Sequence, residues 1–208
     1  MASKREALIS SAEKSLQKGK VDAALRDYLK VLEETPLDIN ILNKVGDLYV
    51  RLGRNDESIP FFLRIAEHYA KDGFYVRAIA MYKKINKLDP ARLDIYEKLA
   101  ELYVKQQLWM EAKSNYQVLA DYLLKQDNLG GTIGIYQKMV AIEPQNLELH
   151  VKLADLLTQA KRIPEALREY GVVAGALAER GAHEESIRVY EKVLELSPQD
   201  VEVIGTIV

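Results

Sequence analysis

Apolar residues recur at spacings of three and four along most of the chain, the pattern of amphipathic helices. Over residues 4–18, Ala7, Leu8, Ala12 and Leu16 share one side, and Lys4, Glu6, Glu13 and Lys14 fill the other. Gly19 follows where a glycine commonly ends a helix. A second stripe, Ala24, Leu25, Tyr28, Leu29 and Leu32, predicts a helix over Val21–Glu34. Pro36 stops it, because proline lacks the amide donor and clashes with the preceding turn.

That proline belongs to a series. Pro36, Pro90, Pro144 and Pro198 share one constant spacing, with Tyr28, Tyr82, Tyr136 and Tyr190 eight before and Lys30, Lys84, Lys138 and Lys192 six before. A spacing held three times without a slipped position is a structural repeat. Residues 1–36 form an N-terminal hairpin, 37–90, 91–144 and 145–198 are three-helix units, and 199–208 begin a further one. First helices share Lys44 to Tyr49, Lys98 to Tyr103 and Lys152 to Leu157. Gly46, Ala100 and Ala154 hold the third place, where a neighbouring helix backbone is expected to come close. Second helices are predicted over 56–72, 109–126 and 163–180, third helices over 75–88, 129–142 and 183–196. Pro164 suits a first turn. Pro60 predicts a start nearer Ser58 or a distorted first turn. Gly130 and Gly131 predict a weak helix start or a hinge, and Gly171 with Gly175 a tight helix contact. The expected fold is all-α, a stack of helical hairpins with about eleven helices and the start of another. Val203, Ile204, Ile207 and Val208 leave the last element apolar, which predicts a fragment of a longer protein.

Composition adds exclusions. A chain 48% hydrophobic and 29% charged is ordinary for a folded soluble protein. Net charge of −2 argues against a general nucleic-acid binder. There is no cysteine, hence no disulfide or thiolate metal site. The first residues lack a signal-peptide core, and no apolar run reaches the roughly 18 residues of a membrane span. A cytoplasmic protein is expected. His68 lies in one unit and His150 and His183 on different helices of another, none with a second histidine at metal spacing, and no nucleophile or phosphate-loop motif occurs. No enzyme activity, cofactor or metal is expected. The recurrent tyrosines predict inter-helix packing, with nearby Lys or Glu satisfying their hydroxyls.

The units resemble overlapping tetratricopeptide repeats, a family whose helix–turn–helix unit is roughly 34 residues long. Leu42, Val45, Gly46, Tyr49 and Gly53 match a first helix and its turn, with Ser58 and Phe62 on the second. Phe62, Ile65, Ala66 and Tyr69 match a first helix again, followed by Gly73, Ala78, Tyr82 and Pro90. The middle helix thus serves two repeats, which makes the period of this chain shorter than two full repeats. Tyr96, Leu99, Ala100, Tyr103, Ala112 and Tyr116 repeat the match, as do Leu153, Ala154, Ala166, Tyr170, Gly181 and Tyr190. Departures are Gln107, Asp127 and Lys161 at turn-glycine places, and His150 at an aromatic place. The resemblance implies a right-handed superhelix whose concave groove holds a peptide or partner domain. The three-helix spacing is also similar to that of long bacterial scaffold proteins.

Four acid–base pairs stand one helical turn apart: Asp47 with Arg51, Glu67 with Lys71, Glu101 with Lys105, and Asp121 with Lys125. Each could do no more than support its own helix, by about 0.2–0.5 kcal/mol. The resemblance implies that these places, with Asn43 and Glu97 one turn earlier, face the groove. Alternating charge there would steer a charged partner and set specificity more than affinity. Gln159, Gly175 and Glu179 break the pattern, so contacts are expected between residues 40 and 125. The expected function is a non-enzymatic adaptor that binds a protein or peptide in a larger bacterial assembly. The alternative is a structural segment that self-associates through its C-terminal end.

Overall fold

The computed structural model describes residues 4–198, and the sequence expectations for residues 199–208, including the apolar end, lie outside that range. The described residues form helices only: α1 (Lys4–Gln17), α2 (Val21–Glu34), α3 (Ile39–Arg51), α4 (Asn55–Lys71), α5 (Tyr75–Leu88), α6 (Leu93–Lys105), α7 (Trp109–Lys125), α8 (Leu129–Ile142), α9 (Leu147–Gln159), α10 (Ile163–Glu179) and α11 (His183–Leu196). From α3 onward every start and end recurs at the spacing of the prolines. The fold is an all-α helical repeat.

Two compact units divide between Gln107 and Leu108. In the first, each of α1 to α6 packs on its sequence neighbour; in the second, α7 to α11 do the same. Such a linear order of contacts is what defines a solenoid.

The core of each unit is drawn from the predicted stripes. Tyr28, Leu42, Val45, Phe62, Ile65, Tyr82 and Ile95 are buried in the first unit. Tyr136, Met139, Leu153, Leu157, Tyr170 and Val193 are buried in the second. Tyr190 departs from its series and is only half-buried. The buried Tyr28 hydroxyl makes no hydrogen bond of ordinary geometry, although the Lys44 ammonium beside it is close enough to interact. Lys44 lies over its ring, 5.3 Å from the centre, and gives its hydrogen bond to Glu13.

Several local expectations need correction. Pro60 neither delays nor ends its helix: α4 begins at Asn55 and Pro60 sits inside it. Proline removes the bond to the Asp56 carbonyl, but Asp56 is exposed, so water can replace it. A methyl added at Gly46 would stand 2.5 Å from the Phe62 ring, so what comes close is a side chain and not a backbone. Gly171 and Gly175 make no tight contact, since an added methyl at either meets nothing within 4 Å. The start of α8 is capped: Asn128 accepts from the Gly131 amide at 2.9 Å.

The turns keep their geometry without glycine. Gly53, Gly73 and Gly181 have φ of 73°, 79° and 76°. Gln107, Asp127 and Lys161 hold the same left-handed turn, with φ of 58°, 54° and 58°. A side chain there costs roughly 1–2 kcal/mol, which surrounding packing must offset.

Candidate functional site

Helices α4, α5 and α6 enclose a cleft of about 270 Å³ in the first unit. Glu67 and Lys71 come from α4, Tyr82 from α5, and Lys98, Glu101 and Lys105 from α6. The helical repeat explains the convergence. Residues 67 and 71 are one turn apart on one helix face, as are 98, 101 and 105 on another. Three lysines meet two glutamates there, a net positive lining. Tyr82 is 2% exposed. Its burial, then the carboxylates of Glu67, Glu101 and Asp94, push its phenol up to about 12, so it stays neutral. Lys105 is steadied by the Tyr75 ring, whose centre lies 5.2 Å from the ammonium.

Four of the residues singled out from the sequence therefore meet in one cleft: Glu67, Lys71, Glu101 and Lys105. Others lie apart. Asn43 donates to Asp47 at 3.1 Å along α3, and Asp47 also accepts from Lys84 of α5 at 2.6 Å. Arg51 is exposed on the last turn of α3, and Glu97 is half-buried on α6 outside the cleft lining. Lys125 is exposed on the last turn of α7.

Asp121 lines a second cleft, of about 810 Å³, between α7, α8 and α9 of the second unit. Asp121, Tyr136, Lys152 and Asp155 line it one repeat beyond Glu67, Tyr82, Lys98 and Glu101. Asp121 accepts from Gln117 at 2.7 Å. Burial opposes ionisation of Asp155, but bonds from Lys192 and Tyr170 outweigh it and hold the carboxyl below its ordinary range. Lys192 reaches Asp155 at 2.6 Å and lies 4.8 Å from the centre of the Tyr170 ring.

His150 is buried, with Nδ1 2.6 Å from Glu169 and Nε2 3.1 Å from the Pro144 carbonyl. It takes the place of a packing aromatic and ties α9 to α10. Among the described residues, no group of three or more His, Asp or Glu could hold a metal ion, and no helix is long and apolar enough to cross a membrane.

Sequence reasoning missed Lys98 and Tyr82 as cleft residues. The signal was present in the register, since Lys44, Lys98 and Lys152 recur at the same spacing as the tyrosines. A linear pattern shows charged partners within one helix, whereas these residues meet across helices.

Models described as tetratricopeptide repeat match residues 15–73, 123–175 and 170–200. No curated protein matches the chain. Among solved structures it is similar to a Signal Transduction ATPase with Numerous Domains protein with a tetratricopeptide repeat sensor, from Pyrococcus horikoshii. Identity is 17% and the TM-score 0.51, over 98% of this chain and 38% of that one. It is also similar to the MamA protein, at 18% identity and TM-score 0.29 over 97% and 96% of the two chains. A third is YrrB, a TPR protein with an unusual peptide-binding site, at 16% identity and TM-score 0.32 over 75% and 95%.

Proposed function

The chain belongs to the tetratricopeptide repeat family, whose members serve in general as protein-interaction scaffolds, and from that premise we propose that it is an adaptor whose first-unit cleft binds an acidic segment of a protein partner. The observation that carries this reading is the meeting of Lys71, Lys98 and Lys105 around Glu67, Glu101 and the neutral Tyr82. Three cations against two anions favour an acidic ligand, and the interspersed glutamates reject one of uniform negative charge. Such a lining acts chiefly on encounter rate and partner choice. The phenol offers a hydrogen-bond donor at any physiological pH. A cytoplasmic setting within a larger bacterial assembly belongs to the same proposal.

Peptide display on the intact chain tests it. Enriched peptides should carry Asp or Glu, and a K71E/K98E/K105E variant of unchanged helicity should fail to retain them. Enrichment without acidic residues, or equal retention by the variant, would overturn the assignment.

A further inference from the structure

The two repeat-related clefts differ in chemistry. At three places that line the second-unit cleft, charged residues of the earlier register become apolar: Asp56, Arg64 and Glu97 correspond to Met110, Val118 and Val151. Met110 is 67% and Val118 40% exposed on α7, and the buried Met139 lines the cleft from α8. Apolar side chains among a few charged ones are the makeup of a site for a ligand that is itself partly apolar. The cleft is also larger, about 810 Å³ against about 270 Å³.

Its charge differs too. Lys113 is neutralised by Glu143 at 2.8 Å, and Asp155 by Lys192 at 2.6 Å. Lys152 is a further exposed cation on the lining, so with Asp121 and Glu148 the balance is one net negative charge, opposite in sign to the first cleft. Asp121 and Glu148 remain as exposed acids on the lining.

We propose that the second-unit cleft receives a basic amphipathic peptide segment of a protein partner, with aliphatic side chains on Met110, Val118 and Met139 and a lysine or arginine against Asp121 and Glu148. This rests on reading the chain as a protein-binding scaffold. It names a second site of opposite charge preference, so the two readings are tested with different peptides.

Fluorescence anisotropy on the full chain decides it, using three dye-labelled synthetic peptides. One carries leucines at helical spacing with flanking lysines; one has glutamate for each lysine; one has serine for each leucine. The first should bind and the serine peptide should bind at least about tenfold more weakly, while the glutamate peptide, which the first-unit cleft can take, should bind wild type and D121K/E148K alike. D121K/E148K and, separately, V118E should each weaken the first peptide by about tenfold or more while circular dichroism stays unchanged. All three substituted positions are exposed, so these variants should fold. Equal binding of the lysine peptide to wild type and D121K/E148K, or loss of the glutamate peptide on D121K/E148K, would overturn the proposal. So would a concentration-dependent dimer that V118E abolishes, since a second copy would then cover the face. Failure of acidic peptides to bind would instead touch only the first-unit reading.

Discussion

Lys84 on α5 donates to Asp47 on α3 at 2.6 Å, 37 residues away in sequence. On its way the ammonium lies 3.9 Å from the centre of the Phe62 ring on α4. Lys192 and Asp155 repeat the contact across Tyr170, also at 2.6 Å and 37 residues apart. One lysine thus fastens the first and third helices of a unit over the aromatic residue of the second. An exposed ion pair is worth about 0–1 kcal/mol and a cation–π contact about 0.5–1 kcal/mol. Lys84→Met should therefore lower unfolding free energy by about 1 kcal/mol in chemical denaturation. A double-mutant cycle with Asp47→Asn should show coupling of only a few tenths, because both side chains are partly exposed.

Asp155 gives this fastening a pH dependence. Its carboxyl titrates lower in the folded chain than its ordinary 3.8. The stabilisation is therefore present above that value and is lost as pH falls through the lower folded one. Asp155→Asn should make the acid limb of the stability profile shallower, measured by denaturant titration from neutral pH downward. Asp38, Asp94 and Glu143 are also lowered by their partners, so part of the slope should remain. An unchanged slope would contradict the role of Asp155.

The left-handed turns offer a gain. Lys161→Gly and Asp127→Gly should each stabilise the chain by about 1 kcal/mol, because glycine removes the penalty of a positive φ. The mirror experiment, Gly181→Ala, should cost a similar amount. Thermal melting of the three variants checks both signs.

Position 92 lacks a helix cap that its relatives have. Asp38 accepts from the Ile41 amide at 3.1 Å and Asn146 from the Leu149 amide at 3.4 Å, whereas Arg92 offers no side-chain acceptor at the start of α6. Arg92→Asp should add about 1 kcal/mol from the new cap. The lost pair with Asp94, 54% exposed, should subtract less. Denaturation midpoints with an unchanged slope would show it.

Gly46 is held small by Phe62. Gly46→Ala should cost about 1–3 kcal/mol through overpacking, and Phe62→Leu in the same chain should recover part of the loss. A neutral Gly46→Ala would show that the ring can move aside.

Nearly all helix boundaries were legible in the sequence, because an unslipped repeat register marks each one several times over. Val21–Glu34 and Tyr75–Leu88 were placed to the residue. The errors came where one local rule was applied alone. Pro60 reads as delaying or distorting the helix start, yet α4 begins at Asn55 and the missing bond falls at an exposed residue of its first turn. Gly171 and Gly175 read as a contact, yet spacing cannot say whether a neighbour lies opposite. The candidate site was half legible for the same reason. Pairs one turn apart on one helix are visible in a sequence, so Glu67 with Lys71 and Glu101 with Lys105 could be named. Contacts between helices, such as Lys84 with Asp47, depend on packing that the linear pattern does not carry.

If the proposed reading holds, charge in the first-unit cleft selects the partner. Isothermal titration of the wild type and of K71E/K98E/K105E, each against an acidic display-selected peptide and its lysine-substituted counterpart, tests it most directly. The account predicts that the wild type prefers the acidic peptide, that the variant loses at least about tenfold in affinity for it, and that the variant gains the lysine peptide. Equal affinity of both proteins for the acidic peptide would contradict it.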